Sequence, residues 1–136
     1  DPPEAEIMRR HTVDGAAIVA RIESLRPLVP IVRSHHERLD GNGYPDGLTA
    51  ERIPLPARIV AVADTFDAMT TSRPYRRALV AETAAAEIRR VTGSHLCPDV
   101  VGAFNRLYDS GRFTTEEGAK LADSLSARLD REYNHW

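Results

Sequence analysis

The residues best equipped for chemistry lie in one stretch, His35-His36-Glu37-Arg38-Leu39-Asp40-Gly41-Asn42-Gly43-Tyr44-Pro45-Asp46-Gly47-Leu48. Imidazole is the commonest metal ligand among side chains, carboxylates suit hard cations, and a loop carrying Gly41, Gly43 and Gly47 lets backbone approach a ligand closely. Consecutive side chains on a helix point about 100° apart, so His35 and His36 are poorly placed to grip one ion from the same side. They suit two neighbouring ions, or one ion and a substrate. Two-metal phosphoesterase sites hold their ions roughly 3.5–4 Å apart and clamp the attacking and leaving oxygens of a displacement. Taken alone, the pair also fits one histidine in the core and one in solvent.

Asp64 adds weight, because it sits in Arg58-Ile-Val-Ala-Val-Ala-Asp64-Thr-Phe66, an apolar run expected to be buried. A buried carboxylate must be neutralised, paired or coordinated. Ala57, Ala61 and Ala68 around it leave room for a metal, although an internal ion pair or a helix cap would also satisfy it. Asp67 reads as solvated. Arg73-Pro74-Tyr75-Arg76-Arg77 follows directly, and guanidinium groups bind phosphate bidentately, although exposed arginines are often only solvated. Tyr44 could stack on a base, bond a phosphate or plug the core. His11 falls between two predicted helices, where its side chain can turn inward, while His95 and His135 read as structural or surface residues.

The elements that must position these groups read as helices. Asp1-Pro2-Pro3-Glu4 is a helix start, predicting a first helix to about residue 10 and a second over 13–24 with Ile18, Val19 and Ile22 on one stripe. Pro27 and Pro30 punctuate the chain, and a third helix from about Leu28 should deliver His35 and His36 near its end. Residues 38–54 form a loop of a length that is usually functional. The next helix, 55–71, places Ile59, Val62, Phe66 and Met69 at core spacing. Helices over 81–92 and 98–110 end at Gly93 and Gly111, and Thr114-Thr115-Glu116-Glu117 starts a last one reaching towards Tyr133. The fold class is all-α, a compact bundle of about six or seven helices.

At 136 residues the chain is one domain in size, with 1–110 as its core and 111–136 as a C-terminal helix. A net charge of −2 provides no overall field for a nucleic acid polymer or an anionic membrane, so an anionic ligand needs a local site. The single cysteine, Cys97, cannot form an internal disulfide, which favours a reducing compartment. Apolar runs such as residues 59–63 reach only five residues, far below the ~20 a membrane helix needs. A cytoplasmic module without direct membrane contact is expected.

Together, His35-His36-Glu37 through Gly43-Tyr44-Pro45, then Arg58 to Asp64, then Arg73-Pro74-Tyr75-Arg76, resemble the HD-GYP family, cyclic di-GMP phosphodiesterases of the HD superfamily of metal-dependent phosphohydrolases. The resemblance implies an all-helical domain with two or three iron or manganese ions and a metal-activated water that hydrolyses a phosphodiester of cyclic di-GMP. By position it makes His11, His35, His36 and Asp64 metal ligands. Tyr44, Arg73 and Arg76 would face the dinucleotide, displayed by a motif loop of Gly41, Gly43, Pro45 and Gly47. The His-Asp pair that names the superfamily lies upstream of the His11 helix in this family, and no His-Asp dipeptide occurs in these 136 residues. The expectation is therefore an N-terminally incomplete domain holding one ion or none, inactive by itself. The alternative is a catalytically degenerate module that binds a cyclic dinucleotide or a protein. A signalling or receiver domain in a longer parent and a homodimer are further expectations.

Overall fold

The computed structural model describes residues 2–72 and 78–111. Among them every regular element is helical: α1 (Pro2–Ala20), α2 (Val29–Ser34), α3 (Leu55–Thr70), α4 (Ala81–Arg90) and α5 (Pro98–Asp109), with 3₁₀ turns at Glu23–Leu28 and Ala50–Arg52. The only β-type pairings described are isolated bridges, Asp40 with Thr49 and Thr92 with Leu96. The chain divides into two compact units after Val101, and all the site residues discussed below belong to the first. Arg73, Arg76 and the helix expected from Thr114 lie outside the described residues.

The two helices expected before residue 24 are one. Neither His11 nor Thr12 breaks a helix, and the Thr12 hydroxyl donates to the Arg9 carbonyl at 3.1 Å within the same turn. A rod of this length can lie along α2, and the contact selects small residues. Thr12 and Ala16 are buried, and a Cβ on Gly15 would stand 3.2 Å from Val32 Cγ1. The stripe expected on Ile18 and Ile22 faces outward instead, with Ile18 66% exposed. Close helix approach favours small side chains at the contact, which hydrophobicity alone does not single out.

Pro30 falls in the first turn of α2, where its missing N–H costs nothing, and the helix ends at Ser34. α3 packs on α2 and α4. It buries Ala57, Val62 and Met69, while Ile59 is 51% exposed and Phe66 half-buried. Residues 59–63 are apolar all round, so spacing could not choose the covered face. α4 buries Ala84, Ala85 and Ile88, and its end is turned by Gly93 at φ +85°. α5 stops before Gly111 at φ +69°, as expected. In the second unit, Phe104 stacks on Tyr108 with ring centroids 5.9 Å apart.

Candidate metal centre

The centre is built where α2 ends. Ser34 is the last residue of α2 and the next residue, His35, still has a helical backbone (φ −70°, ψ −12°), yet the His35 and His36 rings come together, centroids 4.2 Å apart. The divergence expected for two consecutive helical residues does not separate the two rings. The third ring arrives from the middle of α1: His11 lies 5.4 Å from the His35 ring and 4.9 Å from that of His36. One ligand atom from each of the three histidines lies within 4.8 Å of the other two.

Second contacts orient these rings. His35 Nδ1 donates to the Val32 carbonyl at 2.8 Å, and His11 Nδ1 donates to the Met8 carbonyl. Each bond leaves the lone pair of that ring on Nε2, and the two Nε2 atoms face one another at 3.4 Å. Two lone pairs so placed repel unless a cation sits between them. Two imidazole nitrogens bound to one ion at ~2.0–2.1 Å stand roughly 3–3.4 Å apart, so the pair fits a shared transition metal. Burial pushes the His36 imidazole down to about 4, reinforced by His35 and His11 and opposed by Asp64. His36 is thus held in the neutral form that ligates.

A cavity of about 210 Å³ adjoins the cluster, lined among others by His35, His36, Tyr44, Asp64, Thr65 and His95. Asp64 is only half-buried, not enclosed as the apolar run suggested, because α3 turns that side towards the cavity. It lies outside the group of three close histidines. Asp67 is exposed and accepts from the Thr71 hydroxyl at 3.2 Å. A volume of this size is below the ~300–1,000 Å³ of pockets that enclose drug-sized ligands. It admits a phosphodiester group but not a whole dinucleotide.

The glycine-rich loop serves this arrangement structurally. Glu37, metal-capable by type, is 3% exposed and spent on the loop: its two oxygens accept the amides of Asp46 at 2.7 Å and Leu48 at 2.8 Å. Gly41 (φ +76°) and Gly47 (φ +64°) take left-handed turns that return the loop on itself, closed by the Asp40–Thr49 bridge. The Tyr44–Pro45 bond is cis. Arg33 forks onto Asp46 with two bonds of 2.7 Å, and Arg38 forks onto Asp40, holding both carboxyls below the usual carboxylate range. Tyr44 stacks on His36, centroids 4.9 Å apart and planes 27° from parallel, with the Arg9 guanidinium carbon 5.6 Å from its ring centre. Burial raises the Tyr44 hydroxyl, with Arg9 opposing and Asp64 adding.

Sequence reasoning missed Arg9, the structural role of Glu37, and the position of His95. His95, read as structural or surface, is half-buried on the cavity wall, brought there by the Gly93 turn and by the Leu39 amide donating to its carbonyl at 3.4 Å. Nothing local marked it; only the return of the chain after α4 did.

The HD domain family matches residues 1–100. A cyclic di-GMP phosphodiesterase of Thermotoga maritima is 46% identical over 108 residues, covering 78% of this chain and 29% of that protein. The cyclic di-GMP phosphodiesterase response regulator RpfG of Xanthomonas campestris is 39% identical over 127 residues, 92% of this chain and 32% of that protein. The chain thus spans about a third or less of the length of these two relatives. A crystal structure of a cyclic GMP-AMP specific phosphodiesterase of V. cholerae superposes with a TM-score of 0.64 at 27% identity, covering 80% of this chain and 25% of that one. With its three convergent imidazoles, all-helical frame and Gly43-Tyr44-Pro45 loop, the chain belongs to the HD domain family, in its HD-GYP branch.

Proposed function

We propose that this unit forms one wall of a metal-dependent phosphodiesterase centre that opens a cyclic dinucleotide, with cyclic di-GMP as the first candidate. The observation that carries the reading is the pair of Nε2 lone pairs facing each other at 3.4 Å, with His36 beside them. His11, His35, His36 and Asp64 are the proposed ligands, and iron or manganese the proposed metal. These four residues suffice for one ion; two or three require further ligands of the kind the family's His-Asp pair supplies. A bound metal would activate water and offset the charge on the phosphoryl oxygens. The residues here orient it: the Val32 and Met8 carbonyls fix two rings, and Tyr44 backs the third. Arg73 and Arg76 are proposed to hold the substrate's phosphates. Relatives named for cyclic di-GMP and for 3'3'-cGAMP make those two dinucleotides the ones to compare. A receiver or other signalling domain as regulator, and a homodimer, belong to the same proposal.

A second reading is a module that binds the dinucleotide, or a protein, without turnover. The position of Asp64 outside the group of three close histidines favours it.

The test loads the protein with Mn²⁺ or Fe²⁺ under reducing conditions and measures retained metal by elemental analysis. His35→Ala should weaken metal affinity by at least about a hundredfold, since even partners of metal ligands are worth 10–100-fold. Equal metal in wild type and variant, or none in wild type, would remove the reading. Chromatography of cyclic di-GMP incubated with the loaded protein then separates the two readings: linear product means turnover, whereas bound but intact dinucleotide means binding only.

A further inference from the structure

Arginines beside the loop and the imidazole cluster include Arg9, Arg33 and Arg38 among the described residues, with Arg52 near Asp46 at the loop's far end. Two are committed, Arg33 to both oxygens of Asp46 and Arg38 to both oxygens of Asp40. A guanidinium forked onto a carboxylate has little left for another anion. Arg9 has no such partner: its described contact is the face of Tyr44, 5.6 Å from the ring centre.

Its position follows from the fold. Arg9, Thr12 and Ala16 recur at helical spacing on one face of α1, and Thr12 and Ala16 are buried. Arg9 continues that face over Tyr44, whose ring stacks on His36 and lies 6.4 Å from His11. An aromatic face under a guanidinium restricts it without occupying its N–H donors, so the fork stays available to an anion. The adjoining cavity is too small for a dinucleotide, so part of the ligand must lie outside it, and exposed Arg9 is seated on Tyr44, one of the residues that line it.

We propose that Arg9, seated on Tyr44, is a substrate-binding residue that holds a phosphate of the dinucleotide at the mouth of the imidazole cluster. This rests on the phosphodiesterase reading. Arg9 pairs with the anion while the histidines hold metal, so its loss should affect dinucleotide binding and leave metal binding intact.

The experiment is calorimetric titration of cyclic di-GMP into the Mn²⁺-loaded chain, with metal content measured in parallel. Arg9→Met, which keeps length and packing on Tyr44 but removes the charge, should weaken binding about tenfold to a hundredfold, the range of a hydrogen-bonded charge contact. Arg9→Lys should recover part of the loss, and the fall of affinity with added salt should be shallower for Arg9→Met than for wild type. Arg10→Met, next along the helix and paired with Asp14 at 3.7 Å, should bind like wild type. Equal affinity of wild type and Arg9→Met overturns the inference and leaves the phosphodiesterase reading standing. Loss of metal from Arg9→Met also overturns it, since Arg9 would then act on the cluster. No dinucleotide binding by metal-loaded wild type overturns both.

Discussion

Replacing Glu37 with alanine is expected to lower the stability of the first unit by about 3–6 kcal/mol, because two hydrogen bonds to a charged acceptor, each worth roughly 1.5–3 kcal/mol, are lost together. The carboxylate is 3% exposed and accepts the Asp46 and Leu48 amides, spanning nine and eleven residues of chain. Few domains have more than about 5–15 kcal/mol in hand, so this single change takes a large share. Glu37→Gln should cost less: its amide oxygen can still accept one N–H, while its NH₂ faces the other donor to donor. Urea unfolding followed by circular dichroism measures both. A metal-ligand role for Glu37 would instead show as lost metal at unchanged stability in metal-free buffer, and that result would refute the clamp.

Gly43→Ala should be comparably damaging, for a steric reason. A Cβ at Gly43 would stand 2.3 Å from the Arg38 nitrogen and 2.5 Å from Glu37 Cα. Those are backbone atoms that cannot rotate aside, so the loop must shift, and overpacking of this kind costs about 1–3 kcal/mol or more. The next residue carries the shift into the site: the Tyr44 amide donates to the His36 carbonyl at 3.2 Å, and the Tyr44 ring stacks on the His36 ring. Gly43→Ala should therefore lower both the unfolding midpoint and the affinity for Mn²⁺. Gly47→Ala is the comparison, since its Cβ would meet only the Gly41 carbonyl oxygen at 3.4 Å but would be strained at φ +64°. It should destabilise the loop with a smaller loss of metal. Equal metal affinity in Gly43→Ala and wild type would show that the loop does not brace His36.

Much of the site was readable from residue types. His35, His36 and Asp64 are chemically conspicuous, and the glycines and prolines of residues 41–54 announce a constrained loop. Breakers and caps are local, which is why the starts of α2 and α3, the end of α5 and the turn at Gly93 agree with expectation to within a residue or two. The break expected near His11 was not found, because nothing local forbids a helix there and packing of Gly15 against Val32 rewards a continuous rod. The outward-facing Ile18 and Ile59 show the same limit from another side: periodicity reports that a helix has an apolar surface, not which part of it finds a partner.

By itself, then, the sequence determined the all-helical class, the loop boundaries, the family and the residues capable of chemistry, because these depend on side-chain type and on interactions a few residues long. Only the tertiary structure decided what those residues do together. It brought His11 from α1 against His35 and His36 and faced two imidazole lone pairs across 3.4 Å. It also made Glu37 a clamp on the loop and set Arg9 over Tyr44. Each of these depends on where the chain crosses itself, and a crossing is set by packing among distant residues, for which no local spacing carries a signal.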